Sequence, residues 1–171
     1  NAIKGVTELP FVGFVMQAGT AEDIRVTYVK IYTSSTSSDD TAIIGTGDVN
    51  HIALWDGNTR LTTKKDLTTG WTATNFATTT NYISWSASDF LNSSGIDITK
   101  GQQKTITVKA DIPSTATAYR SIGFGIASST DTGTITTTSD VTFVGLSSNA
   151  TPAATITYGS LAGGVNYTSI G

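Results

Sequence analysis

The 171-residue sequence has no cysteine. That absence removes disulfides, thiolate metal sites and thiol nucleophiles together. Histidine occurs once, at His51, which is too few imidazoles for a catalytic zinc or copper centre in a chain without thiols. His51 stands beside Asn50 in an apparent strand with no Gly-x-Ser-x-Gly elbow in the chain, so it reads as a surface or rim residue. Only 13% of residues are charged and the formal net charge is −3. Phosphate backbones require concentrated Lys and Arg, so nucleic acid is not an expected partner. No apolar run approaches the roughly 20 residues that span a bilayer, and membrane insertion is not expected either. Gly45-Thr46-Gly47 precedes Asp48, the wrong sign for a phosphate cradle. The carboxylates Asp39, Asp40, Asp56, Asp66, Asp89, Asp97 and Asp131 fall in turn-like contexts, where Asp bonds its own backbone. They form no regular calcium loop and no recognisable glycosidase pair. No catalytic residue, metal or cofactor is expected, and the chain does not read as an enzyme.

What is present is hydroxyl. Threonine occurs 33 times and serine 18 times, and the branched Cβ of threonine suits a pleated strand. Apolar and polar residues alternate repeatedly. In residues 105–112, Ile106, Val108, Ala110 and Ile112 share one face, which predicts a strand with one wet side. Residues 96–101 form a short strand closing on a Gly turn, in a hairpin or a corner with the next. Residues 23–33 place Ile24, Val26 and Tyr28 on one face, then Val29 and Ile31 on the opposite phase, which predicts a bulge or partial burial on both sides. Trp55-Asp56-Gly57-Asn58 ends a strand on a strong turn signal. Further strands are predicted at residues 82–86, 119–128, 141–146 and 153–158. Eight or more short strands between Ser/Thr/Gly/Asp loops predict an all-β antiparallel sandwich in a single domain. A chain this long buries roughly 70% of its unfolded surface, enough to hold without disulfides. Asn1 is not an initiator Met, so the chain reads as a mature form whose export signal was removed or never included. An extracellular or cell-surface location follows as the expectation.

The two ends differ from the middle. Around Pro10-Phe11-Val12-Gly13-Phe14-Val15-Met16, Phe11 and Val15 fall on one strand face and Val12, Phe14 and Met16 on the other. A strand apolar on both faces must be covered on both. Such a strand is either central in its own domain or a donor that fills a groove in a neighbouring copy. Residues 1–7, with Ile3 and Val6, lead into it as a short extended arm. Residues 1–18 are therefore the candidate N-terminal arm or donor strand and residues 19–171 the sandwich domain, with Ile3, Val6, Phe11, Val12, Phe14, Val15 and Met16 as the assembly residues. A Gly-rich hinge at residues 159–164 precedes Val165-Asn166-Tyr167-Thr168-Ser169-Ile170, a weaker candidate for the same role. Either exchange is head-to-tail and produces an open filament if the rotation does not close.

The segments Ile98-Thr99-Lys100-Gly101-Gln102-Gln103-Lys104-Thr105-Ile106-Thr107-Val108-Lys109-Ala110-Asp111-Ile112, Ile122-Gly123-Phe124-Gly125-Ile126 and Asp140-Val141-Thr142-Phe143 resemble the immunoglobulin-like sandwiches of prokaryotic cell-surface proteins. The apolar start resembles subunits of extracellular fibres and pili joined by donated strands. The resemblance implies an immunoglobulin-like Greek-key sandwich and a structural subunit whose partner is a further copy of itself. Asn92, Asn149 and Asn166 each begin an Asn-x-Ser/Thr triplet and are candidates for covalent glycans. An alternative is a carbohydrate-binding sandwich that stacks sugars on Trp55 or Trp71; the plainer reading puts Trp85, in alternation with Ile83, in the core and has Trp55 and Trp71 cap the sheet ends.

Overall fold

The computed structural model describes residues 2–36, 47–67, 82–92, 94–118, 121–125, 134–135, 141–151, 154–158 and 167–170. Their regular elements are strands: β1 (Leu9–Ala18), β2 (Ile24–Thr36), β3 (Asn50–Asp56), β4 (Thr59–Arg60), β5 (Tyr82–Trp85), β6 (Ile96–Ile98), β7 (Gln103–Asp111), β8 (Ser121–Gly125), β9 (Thr134–Ile135), β10 (Val141–Gly145), β11 (Ala154–Tyr158) and β12 (Tyr167–Ser169). A single 3₁₀ turn, Ala87–Asp89, interrupts them. One sheet runs β4-β3-β7-β1-β11-β9, and a second is built on β2. All ladders among the described residues are antiparallel. The molecule is an all-β, sandwich-like fold, as the alternation predicts.

β2 is long enough to serve four partners. Val29 lies opposite both Trp85 and Val141, and Tyr32 opposite both Tyr82 and Gly125. A strand residue has one neighbour on each side, so β6 and β5 follow one another along one edge of β2, and β10 and β8 along the other. β8 in turn pairs β12. The phase slip in β2 is a bulge: Thr142 pairs Tyr28 and Phe143 pairs Val26, leaving Thr27 as the extra residue. Ile24 and Val26 before the bulge, and Val29 and Ile31 after it, are thereby all buried, while Tyr28 is left half-exposed.

The β6–β7 connection is a corner rather than a hairpin. β6 pairs β2 in one sheet and β7 pairs β1 and β3 in the other. Ile106, Val108, Ala110 and Ile112 are buried as the alternation requires. The β3–β4 hairpin turns through Gly57-Asn58, with Gly57 at φ +56 as the tight turn demands. Trp85, Phe14, Phe124, Phe143 and Met16 are the largest fully buried side chains. Trp85 donates its Nε1 hydrogen to Thr63 O at 2.9 Å, which satisfies its one polar atom inside the core.

Residues 19–23 carry the chain from one sheet to the other and are pinned from both sides. Asp23 accepts the Lys100 N–H with a carboxylate oxygen and the Leu146 N–H with its carbonyl. The Glu22 carboxylate takes the Ser147 and Ser148 N–H groups at 3.0 Å each and the Ser148 hydroxyl at 2.7 Å. A Cβ on Gly145 would collide with that carboxylate. The hydroxyl of Ser148, then its N–H and that of Ser147, hold the Glu22 carboxyl below its ordinary value of 4.5. A depressed carboxylate stabilises the fold above the ordinary value and loses that contribution as pH falls through the lower folded one. Glu22→Gln is therefore expected to be less stable than the parent at neutral pH, with the gap narrowing below pH 4.5. Denaturation midpoints of both proteins between pH 7 and pH 3 check this.

Candidate functional site

The apolar N-terminal strand occupies the interior of its own sheet. β1 pairs β7 from Leu9↔Ala110 to Gln17↔Gln103, and pairs β11 from Phe14↔Tyr158 to Ala18↔Ala154. Among the described residues β7 and β11 do not pair with each other, so β1 fills a slot between them. Val12, Phe14, Met16 and Ala18 are buried on the core face, whereas Val15 is half-buried and Gln17 exposed on the other.

Phe11 does not keep the outward phase that simple alternation gives it. The β1–β7 register shifts between Pro10 and Val12, and Phe11 is buried with its ring edge-on to Phe124 of the second sheet, centroids 4.9 Å apart. The strand's apparent two-faced apolarity is thus partly a bulge that turns Phe11 to the core. Pro10 is tolerated in an interior strand because it sits at that irregularity. The expected placing of Phe11 with Val15 on one face is corrected accordingly: Phe11 turns to the core, and Val15 is the apolar side chain left on the outer face.

The lead-in to β1 is tied down as well. Gly5 N–H donates to Ile112 O at 2.7 Å, and Ile112 N–H donates to Val6 O at 2.8 Å. Ala2 forms a parallel bridge with Ile170, and both are buried. The two candidate ends therefore meet, with β12 seated on β8. Val6 is half-buried and Ile3 is 73% exposed.

Where the lead-in becomes strand, charged side chains converge. Asp111, the last residue of β7, accepts the Glu8 N–H at Oδ1, 2.6 Å, and its Oδ2 lies 2.8 Å from His51 Nδ1. Lys64 Nζ is 3.4 Å from Glu8 Oε1 and 3.9 Å from Asp111 Oδ2. The His51 N–H donates to Asp66 Oδ1 at 2.6 Å. His51 lies on the rim, as expected from sequence, with its side chain half-exposed. The Asp111 partner was not legible, because it falls on the polar phase of β7 and yet is buried. Among the described residues no hydroxyl is hydrogen-bonded to His51, and no three His, Cys, Asp or Glu side chains are placed to hold a metal ion.

No family model, curated protein or solved structure matches the chain.

The remaining candidates separate clearly. Trp55 is only 7% exposed, and the Lys109 ammonium lies 4.5 Å from its ring centroid while bonding Gly57 O. Trp55 therefore presents no open face for a sugar, and Trp71 lies outside the described residues. Trp85 is core, as its alternation with Ile83 predicts. Asp97 pairs Arg25 through both oxygens. Asp89 caps the 3₁₀ turn through the Ser86 N–H and binds Lys65 at 2.9 Å. Burial pushes the Asp89 carboxyl up, but the Ser86 N–H, the Lys65 ammonium and the Ser86 hydroxyl together hold it below its ordinary range. These carboxylates hold the fold together. Asp39, Asp40 and Asp131 lie outside the described residues. Asn92 and Asn149 are exposed, Asn149 in the turn after β10 with its N–H on Gly145 O; Asn166 lies outside the described residues. Among the described residues no helix is long and apolar enough to cross a membrane.

Proposed function

We propose that the protein is an extracellular structural subunit of immunoglobulin-like Greek-key topology that polymerises head-to-tail, each copy inserting its N-terminal strand into the next. One observation carries this reading: the apolar strand β1 is interior to its sheet, between β7 and β11. β1 joins the next described strand through residues 19–23, and swinging about that connection takes it out of its slot. A second copy can then refill the slot with the same strand, the same ladder and the same side chains. Phe11, Val12, Phe14 and Met16 each contribute about 1.5–3 kcal/mol on burial, and an empty slot forfeits all of them together with two rows of backbone hydrogen bonds. The slot is therefore filled, by its own strand in a closed monomer or by a neighbour's in a filament, and concentration shifts the balance. Exchange between copies is heterologous and propagates unless the rotation closes. The hydroxyl-rich exterior, with glycans on exposed Asn92 and Asn149, keeps the fibre solvated outside the cell.

Negative-stain imaging of the purified chain tests this directly. The full chain is expected to form filaments at high concentration. A chain lacking residues 1–18 is expected to form none, because its slot is empty and it has no strand to donate. Filaments of normal length from the truncated chain would overturn the proposal.

A further inference from the structure

We propose that Asp111 is a latch that holds the N-terminal strand in its own slot and so governs how readily that strand opens. The inference deepens the strand-exchange reading and rests on it for its biological consequence. Within residues 5–18 the single charged side chain is Glu8, so β1 itself, Leu9–Ala18, carries no charged side chain. The ionic hold on this segment is concentrated at its beginning. There one buried carboxylate grips two separate backbones: the Glu8 N–H at 2.6 Å and, through the His51 ring at 2.8 Å, the irregular start of β3. Both gripped residues are in the left-handed region, Glu8 at φ +55 and His51 at φ +52. Non-glycine residues adopt that region at a cost, and persist there only where their surroundings hold them. Lys64 completes the cluster by facing both Glu8 and Asp111.

The other end of the segment has the opposite character. Glu22 and Asp23 are bonded to the turns after β10 and β6, so they stay with the body when β1 departs. Besides the β1 ladders, the bonds described there are backbone ones, Ala18 N–H to Gln102 O and Gly101 N–H to Gly19 O. Opening therefore starts at the Asp111 cluster and pivots at Gly19, Thr20 and Ala21.

The test is hydrogen exchange measured by mass spectrometry on the full-length monomer, with filament growth followed in parallel. Asp111→Ala removes the acceptor for Glu8 and the partner of His51. It is expected to accelerate exchange of the residue 9–18 amides by about tenfold to a hundredfold, the range set by losing hydrogen bonds to a charged group. Amides of the β2–β10 ladder are expected to keep the parent rate, and the filament lag to shorten. Asp111→Asn keeps an acceptor oxygen and loses the charge, so a smaller acceleration is expected; it carries the test if the alanine variant does not fold. Uniform acceleration across both sheets would overturn the latch, since it reports global loss of stability. Unchanged exchange at residues 9–18 would overturn it equally, and leaves strand exchange standing if filaments still form. Selective acceleration without filaments from either protein upholds the latch and sinks strand exchange.

Discussion

Phe14→Ala is expected to cost about 3–5 kcal/mol of folding stability, the usual range for truncating a buried phenylalanine. Phe14 is 1% exposed and sits mid-strand in β1, opposite Ile106 on one side and Tyr158 on the other. Truncation loses the transfer free energy of the ring and leaves a cavity between two sheets whose remaining side chains cannot all close around it. For a domain of this size each kcal/mol moves the melting midpoint by about 2–4 °C, so a drop on the order of 10 °C is expected. Val15→Ala, on the half-buried outer face of the same strand, is expected to cost less than about 1 kcal/mol. Thermal or urea denaturation of the two variants beside the parent checks the contrast. If the filament reading holds, Phe14→Ala also raises the concentration at which filaments appear, since the same ring fills the same kind of slot. Equal losses at positions 14 and 15 would mean that β1 does not face the core in this phase.

Much of the architecture was legible because threonine-rich alternation encodes a pleated strand and Gly, Asp and Ser mark its ends. Residues 105–112 show this most simply, since every apolar position there is buried. The phase change between Tyr28 and Val29 was legible as either a bulge or partial burial on both sides; pairing with β10 decides for a bulge, with Thr27 as the extra residue. Phe11 was not legible in the same way. Its bulge is set by pairing with β7, a partner far along the chain, and Pro10 alone does not reveal which way the next side chain turns. Partner choice was hidden for the same reason: the corner after β6 and the slot between β7 and β11 depend on pairings that local pattern does not specify.

The site was legible in part. The sequence singled out the N-terminal strand as unusual, and the structure places it inside its sheet with its large side chains on the core. The cluster at Asp111 was hidden because a polar residue on the polar phase of a strand predicts solvent, not burial against Glu8 and His51. Trp55 was open to two readings, a cap on the sheet end or a stacking platform for a sugar, and Lys109 from the neighbouring strand covers its ring. Cross-strand neighbours decide what such a face is free to do.

The central claim is that a filament holds β1 in a neighbour's slot, and one covalent measurement tests it. Val15 and Thr105 are paired across β1 and β7, both away from the fully buried face, and the native chain has no cysteine to compete. Adjacent positions of an antiparallel pair lie close enough for a disulfide. The double variant Val15→Cys, Thr105→Cys, assembled under reducing conditions and then oxidised, is analysed on a non-reducing denaturing gel. Strand exchange predicts a ladder of covalently linked chains that collapses to a single band on reduction. A filament preparation that oxidises entirely to monomers with an internal bond would contradict the account, because each strand would then be shown to remain in its own chain.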